Sequence, residues 1–258
     1  MGILDGKVAI ITGGGQGIGE GLVYAFCHEG AKVVNIGRTY SKVERVAENI
    51  KKDGCDAIAL QCDISDYTQV EAVVAKTVET YGKIDVIVNN AMTQRMGPFE
   101  DSTEDDLWDA WKNNVVGTYN CIKACLPYLK ETKGRIINFG SGAGTHGNKG
   151  MFSYATSKEA IRGMTKALAV EFAPYEINVN CVVPTGNSPA FERTKMERAD
   201  QPELLAKMVE GYLIKRPNFS LGDPETDIGG VVVFLASKYS QYMTGRTLFA
   251  DGGKSMFR

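Results

Sequence analysis

The chain has 258 residues, of which 43% are hydrophobic and 23% are charged, and its formal net charge at pH 7 is -2. This length suffices for one large α/β core, and the near-neutral charge gives no reason to expect nucleic acid or an anionic membrane as a partner. The sequence contains no apolar run of membrane-spanning length and no signal-peptide or myristoylation pattern. We therefore expect a single domain over residues 1–258 and a cytoplasmic location.

The first predicted unit is a strand, a glycine-rich turn and a helix. Residues 7–12 form a short apolar run typical of a buried strand, Gly13, Gly17 and Gly19 follow in a helix-opening turn, and a second strand is predicted at 31–36. Glycines in such a turn let the backbone approach a pyrophosphate, and the helix N-terminus offers N–H groups and positive dipole to hold it. The unit predicts a dinucleotide site, and a purely structural turn is the alternative.

Strand and helix patterns then alternate to the end of the chain. The further predicted strands are 56–61, 84–89, 134–139, 177–183 and 246–250. Such alternation predicts a single-domain, Rossmann-type α/β fold, in which a doubly wound parallel sheet carries helices on both faces. Thr12, Asn89, Ser141 and Pro184 each come at or just after a predicted strand end. We expect these four segments to meet at one edge of the sheet, because right-handed crossovers place all strand carboxyl ends there.

Residues 187–217 interrupt this alternation with a helix-bearing segment before the last helix and strand. A segment of this kind beside a ligand crevice is typical of a lid over the substrate. A surface insertion is the alternative.

Tyr154 and Lys158 carry the strongest chemical signal. They are four residues apart and follow Ser141, which lies thirteen residues before Tyr154. On a helix this spacing places the phenol and the ammonium on one face. Near the helix N-terminus the dipole and the lysine charge both favour the phenolate, so we expect the pKa of Tyr154 to fall from about 10. Tyr154 is therefore a candidate general acid and base, with an ordinary amphipathic pair as the alternative.

Cysteine and histidine patterns favour no metal site. The six cysteines contain no C-x-x-C pair and lie within predicted strands and helices, which favours reduced, buried thiols over a disulfide framework. A redox role for Cys121 and Cys125 is the alternative. The two histidines, His28 and His146, are too few for a zinc site or a histidine-based catalytic site.

Several ordered motifs together resemble the short-chain dehydrogenase/reductase family over essentially the whole chain. They are the G-x-x-x-G-x-G turn, Asn89-Asn90-Ala91, Asn114, Ser141, the Tyr154 and Lys158 pair, and the closing Asp251-Gly252-Gly253. The resemblance implies an NAD(P)-dependent enzyme that interconverts a secondary alcohol and a ketone. It also implies a homo-oligomer, with a tetramer favoured.

The resemblance further implies a catalytic tetrad of Asn114, Ser141, Tyr154 and Lys158. Tyr154 would move the proton, and Ser141 would hold the substrate oxygen as its charge develops. Lys158 would lower the pKa of Tyr154 and hold the nicotinamide ribose. Asn114 would anchor a water that relays protons from Lys158. An NADP-binding redox sensor is the non-enzyme alternative, and the complete tetrad argues against it.

Cofactor preference depends on the residues after the second strand. An acid there would bind the adenosine ribose of NAD and repel a 2′-phosphate, but the segment Asn35-Ile36-Gly37-Arg38-Thr39 has no acid. Arg38 instead offers a fork suited to phosphate, so NADP is predicted over NAD, with a solvated surface arginine as the alternative. By the resemblance Asp63 contacts the adenine amino group; otherwise it caps a helix. The other cofactor-binding residues implied by the resemblance are Gly13, Gln16, Gly17, Ile18, Gly19, Asn90, Tyr154, Lys158 and Asn187, the last through its backbone.

The segments SGAGTHGNKG and GDPETDIG resemble a branch of the family that contains bacterial hydroxysteroid dehydrogenases, particularly those acting on the bile-acid 12α-hydroxyl. This implies an apolar steroid substrate, and a 3-oxoacyl thioester reductase is the alternative. Candidate residues for an apolar wall are Met92, Met96, Phe99, Met151, Phe152, Phe191 and Met196, although such side chains are more often core. The lid cations Arg193, Lys195 and Arg198 suit either a bile-acid carboxylate or an acidic carrier.

Overall fold

The computed structural model describes residues 2–256, which form one seven-stranded parallel sheet in the order β3-β2-β1-β4-β5-β6-β7. The strands are β1 (Val8–Thr12), β2 (Lys32–Gly37), β3 (Ala57–Gln61), β4 (Val86–Asn89), β5 (Arg135–Phe139), β6 (Asn178–Pro184) and β7 (Thr247–Ala250). Each lies within two residues of its predicted position. The prediction succeeds for the five inner strands because they are buried on both faces and are therefore largely apolar runs that the turns interrupt clearly, whereas the edge strands β3 and β7 are only half-buried.

Helices connect and cover the strands. The α-helices are α1 (Gly17–His28), α2 (Tyr40–Lys52), α3 (Tyr67–Tyr81), α4 (Glu104–Ala110), α5 (Gly117–Thr132), α6 (Gly142–His146), α7 (Phe152–Glu171), α8 (Pro189–Glu197), α9 (Pro202–Val209) and α10 (Gly230–Ala236). Two π-helical segments, Trp111–Val116 and Pro224–Gly229, lead into α5 and α10. Short 3₁₀ turns lie at Phe99–Asp101, Ala173–Tyr175, Pro217–Phe219 and Lys238–Ser240. Within residues 2–256, no helix is both long and apolar enough to cross a membrane.

Two apolar clusters, one on each face of the sheet, form the core. Leu22, Val46 and Val232 bring α1, α2 and α10 into the first cluster, whereas the second contains residues of α3, α5 and α7. Successive strand residues divide between them: Ile11 belongs to the first cluster and Ile10 to the second. This alternation follows from the pleat, and it confirms the predicted doubly wound fold with helices on both faces.

The cysteines belong to this core rather than to the surface. All six are free thiols, five of them buried and Cys55 half-buried. Burial raises the pKa of the Cys62 thiol to about 11 and that of Cys125 to about 12, and it also raises that of Cys121. A protonated, buried thiol is a poor nucleophile, so these environments argue against the redox role considered for Cys121 and Cys125.

Candidate active site

A crevice of about 400 Å³ opens at the carboxyl ends of β1, β2, β3 and β4. Eight of the predicted cofactor-binding residues line it, namely Gly13, Gln16, Gly17, Ile18, Gly19, Arg38, Asp63 and Asn90. Ser188 and Pro189, where the segment 187–217 begins, line it as well. The fold therefore brings four separate strand ends and one end of the predicted lid to a single cavity.

The glycine-rich loop at the crevice is held from behind through its carbonyl groups. The Asn90 side-chain amide donates to the oxygens of residues 12 and 13 at 2.9 and 3.4 Å, Asn35 donates to residue 14 at 3.2 Å, and Arg45 donates to residue 15 at 3.1 Å. Arg45 is itself fixed by two 2.8 Å contacts to the Glu20 carboxylate. These four carbonyl oxygens accept hydrogen bonds from protein groups behind the loop, so their partial negative charges do not repel an anionic ligand in the crevice.

The same loop fits a pyrophosphate sterically. Gly13 has a φ of +72°, a left-handed conformation that favours glycine, and a Cβ added to Gly19 would lie 2.1 Å from the Gly13 carbonyl oxygen. Helix α1 begins directly after this turn at Gly17, so its unpaired N–H groups and positive dipole lie at the loop. The residues present therefore fit the diphosphate of a dinucleotide.

Two cationic residues, Arg38 and Lys42, line the end of the crevice beyond β2. Arg38 is exposed, and in the described part of the chain its guanidinium has no ion-pair or hydrogen-bond partner; only its carbonyl is engaged, by Gln61 at 3.0 Å. Lys42, in the first turn of α2, lines the same crevice and donates to the Gln16 side chain at 2.7 Å. The sequence analysis missed Lys42. The one sequence feature that could have indicated a role for Lys42 is its position four residues after Arg38, and that position looks like an ordinary exposed position on a helix.

Asp63 is the one carboxylate among the described residues that line the crevice. Its Oδ1 accepts the N–H of Ser65 at 2.9 Å, which fixes the turn after β3. The N-cap of α3 is Asp66, whose Oδ1 accepts the N–H groups of Thr68 and Gln69. The alternative interpretation of Asp63 as a helix cap is therefore wrong.

The structure brings Ser141, Tyr154 and Lys158 together. Tyr154 lies in the first turn of α7 and is buried together with Lys158 on the same helix face. Ser141, the N-cap of α6, donates a hydrogen bond to the Tyr154 hydroxyl. The Lys158 ammonium lies 5.7 Å from the centroid of the Tyr154 ring and donates to the Phe139 carbonyl at the end of β5, at 2.9 Å.

The expected fall in the pKa of Tyr154 is wrong for this structure. Burial raises the pKa of Tyr154 above its ordinary value, and the hydrogen bond from Ser141 offsets this only in part. Burial also lowers the pKa of Lys158 from 10.5 to about 8. Spacing along a helix indicates which groups are neighbours, but burial opposes the charged form of each group and is the largest cause of both pKa shifts.

A comparison with known proteins identifies the family. The family model for short chain dehydrogenases matches residues 7–200. The chain belongs to the short-chain dehydrogenase/reductase family. A protein described as a short-chain dehydrogenase/reductase from Burkholderia xenovorans has the same fold, with a TM-score of 0.91 and 28% identity over the full length of both chains.

Two relatives named for different substrates also align over almost the whole chain. A 12α-hydroxysteroid dehydrogenase from Clostridium sp. is 40% identical over 261 residues, which cover 98% of each protein. A 3-oxoacyl-acyl-carrier-protein reductase from Staphylococcus aureus is 35% identical over 252 residues, which cover 97% of this chain and 98% of that protein. The chain is accordingly an NAD(P)-dependent oxidoreductase that acts on CH–OH groups.

Asn114, the remaining tetrad candidate of this dehydrogenase/reductase, lies in the π-helical segment before α5 and is fully buried. Its amide nitrogen donates to the Thr93 carbonyl at 3.0 Å and to the Ser157 hydroxyl at 2.9 Å, and its oxygen accepts the Thr93 N–H at 2.8 Å. Asn114 thereby ties the loop after β4 to α7, one residue from Lys158. Its predicted role in holding a water stays a prediction.

Asn187 lies outside the set of residues that line the crevice. Its N–H donates to the Gly222 carbonyl at 2.9 Å, and its side-chain oxygen accepts the Leu221 N–H at 2.9 Å. A main-chain contact from Asn187 to a cofactor therefore falls to its carbonyl oxygen. The Pro184-Thr185-Gly186 sequence before it pairs with the same neighbouring segment through an isolated bridge between Gly186 and Gly222.

Four of the seven predicted apolar wall residues of this dehydrogenase/reductase are exposed, and one of the four lines the crevice. Met92 lines the crevice, and Met92, Met96, Phe99 and Met196 are all exposed. The Phe99 ring packs edge-on against Phe152 with centroids 4.9 Å apart, which joins the loop after β4 to the start of α7. Met151, Phe152 and Phe191 are half-buried.

The depressed pKa of Lys158 predicts a pH dependence of stability. Between pH 8 and 10.5 the folded protein holds a neutral amine while the unfolded chain is still protonated, so the free energy of unfolding rises with pH across this window. Between pH 8 and pH 10.5 the free energy of unfolding of the wild type should therefore rise by about 3 kcal/mol relative to that of Lys158→Met. Urea denaturation across the window measures the gain. Lys166→Met, on the exposed side of α7, is the control. Parallel stability curves for the wild type and Lys158→Met would contradict the assignment.

Proposed function

We propose that this enzyme uses NADP to interconvert a secondary alcohol and a ketone on a hydroxysteroid such as a bile acid. The observation that carries the chemistry is the placement of the Tyr154 hydroxyl against Ser141 and beside Lys158, with the crevice at the neighbouring strand ends. When bound, nicotinamide supplies or accepts the hydride.

Three of the four tetrad side chains, Tyr154, Ser141 and Asn114, have roles that their surroundings support. In ketone reduction Tyr154 gives its proton to the substrate oxygen, and in alcohol oxidation the phenolate takes that proton back. Because burial raises the pKa of Tyr154, the resting group is the protonated donor, and oxidation should accelerate as the pH rises. Ser141 holds the substrate oxygen as charge develops on it, and Asn114 positions α7 through Ser157.

Replacing Tyr154 by Phe should abolish turnover and preserve cofactor binding, since only the hydroxyl is removed. We expect kcat to fall by roughly 10² to 10⁴, the usual contribution of general acid and base catalysis. NADPH fluorescence titration measures binding, and Tyr175→Phe, at an exposed position beyond α7, is the matched control. A Tyr154→Phe enzyme with near-normal kcat would exclude the proton-transfer role.

The choice of NADP over NAD rests on Arg38 and Lys42. Both cations line the crevice beyond β2, and the Arg38 guanidinium has no partner within residues 2–256. Asp63, the carboxylate that lines the crevice, follows β3 rather than β2. A 2′-phosphate placed between the guanidinium and the ammonium would gain charge-assisted hydrogen bonds, whereas the hydroxyl of NAD would gain little.

Arg38→Ala and Lys42→Ala should each raise KM for NADP and leave KM for NAD almost unchanged. Loss of one charged hydrogen bond costs about 1.5 to 3 kcal/mol, which corresponds to a rise of roughly 10-fold to 150-fold. Lys51→Ala, at the far end of the same helix, is the control. Equal changes for both cofactors, or a wild-type preference for NAD, would show that these are only surface cations.

A steroid is favoured by two observations. The relative at 40% identity is named as a 12α-hydroxysteroid dehydrogenase, and the exposed apolar side chain of Met92 lines the crevice. We propose that the segment 187–217, which starts at the crevice with Ser188 and Pro189, closes over this ligand. The relative named as a 3-oxoacyl-acyl-carrier-protein reductase makes a thioester the second candidate substrate.

Competition kinetics separates the two substrate classes. Bile acids and 3-oxoacyl thioesters are assayed with NADP or NADPH by nicotinamide absorbance, each alone and each against the other. We expect bile acids to turn over or to inhibit at sub-millimolar concentration, because burial of a steroid ring system gains roughly 25 cal/mol per Å² of apolar surface. Turnover of thioesters with no effect of bile acids would overturn the steroid proposal and leave the oxidoreductase assignment intact.

A further inference from the structure

A second pocket lies at the amino edge of the sheet, opposite the crevice. It has a volume of about 160 Å³ and lies beside the starts of β4 and β5 and the residue before β1. The lining residues are Lys7, Asp85, Val86, Thr132, Lys133, Gly134, Arg135, Ala236, Ser237, Lys238 and Gln241. None of the predicted cofactor or catalytic residues is among them, so the pocket is separate from the site already described.

The lining of this amino-edge pocket carries an excess of positive charge. Four cationic residues, Lys7, Lys133, Arg135 and Lys238, and one acidic residue, Asp85, are among those that line it. Cationic groups around so small a cavity repel one another, and nearby carboxylates must offset that repulsion for the pocket to be electrostatically neutral.

The nearby carboxylates are already engaged elsewhere. Asp85 is buried, contacts the ammonium groups of Lys7 at 2.8 Å and Lys83 at 3.0 Å, and accepts the Val8 N–H at 3.0 Å. Glu176, outside the lining, pairs with Lys133. These ion pairs leave Arg135 and Lys238 without a carboxylate partner in the part of the chain that the structure describes.

Among the cations of this pocket, Arg135 has a buried hydrogen-bond donor without a partner in the described part of the chain. Its terminal nitrogen donates to the carbonyls of Lys133 at 2.6 Å and Gly134 at 3.1 Å, whereas its Nε is buried and has no hydrogen-bond partner among residues 2–256. Burial lowers the pKa of Arg135, which shows that its charge is poorly solvated there. A poorly solvated guanidinium destabilises a fold, and the negative charge of an anion in the adjacent pocket would offset part of that penalty.

We propose that the amino-edge pocket binds a phosphate-type oxyanion between Arg135 and Lys238. A planar guanidinium presents paired N–H donors that match phosphate oxygens, and a lysine adds a mobile point charge. The ligand is either free phosphate or the phosphoryl group of a small metabolite, since the two present the same oxygens. The site lies at the opposite edge from the crevice, so this anion is distinct from the cofactor.

Isothermal titration with inorganic phosphate tests the proposal on enzyme saturated with NADP, at constant ionic strength maintained with sodium chloride. We expect saturable binding by the wild type and a loss of about ten-fold or more in affinity for Arg135→Gln and for Lys238→Gln. Lys52→Gln, at the exposed end of α2, should bind phosphate like the wild type. Lys238 is exposed and outside the core, so its variant gives a result even if Arg135→Gln does not fold.

Two outcomes overturn the proposal. Saturable binding is absent in the wild type, or Arg135→Gln and Lys238→Gln both bind phosphate as tightly as the wild type, which would place the phosphate outside the amino-edge pocket. A parallel titration with methyl phosphate distinguishes the sources. Tighter binding of inorganic phosphate indicates free phosphate as the ligand, and tighter binding of the monoester indicates a phosphorylated metabolite.

Discussion

The hydrogen bonds that Asn90, Asn35 and Arg45 donate to the glycine-loop carbonyls are the constraint on which the crevice depends. A glycine-rich turn has many accessible conformations, and fixing one of them costs conformational entropy. The three donors come from the ends of β4 and β2 and from α2, so the loop is fixed by the same elements that form the cavity walls. Its shape is therefore set before any ligand arrives, which lowers the cost of binding.

Burial changes the acid and base properties of the catalytic pair, Tyr154 and Lys158. In water the ordinary pKa of tyrosine is slightly below that of lysine, but here burial raises the first and lowers the second to about 8. The order of deprotonation is thus reversed, and the phenolate with its neighbouring ammonium is the costly state. Contacts that ligands add to Tyr154 and Lys158 must stabilise that state, which links substrate binding to acid and base chemistry.

The sequence predicts the sheet well and the electrostatics poorly. The five inner strands were predictable because burial on both faces leaves a largely apolar run, and the half-buried edge strands β3 and β7 were predictable from the strand and helix alternation. The pKa of Tyr154 instead depends on how tightly distant segments close around it. The loop positions around Gly13 could be assigned from spacing alone. Lys42 could not, because a lysine in the first turn of an amphipathic helix looks the same whether or not a cavity faces it. The homotetramer, the lid and the individual site roles stay predictions.

The shielded thiols of this chain have a practical consequence for spectroscopy. Five of the six native cysteines are buried, and burial raises the pKa of the sixth, Cys55, as well, so the native protein offers solvent little reactive thiolate. A cysteine introduced at an exposed position such as Arg193 in α8 would react first with a maleimide dye. The native cysteines should therefore react little during labelling of a single introduced cysteine, and a dye on α8 would report how this helix moves as ligands bind.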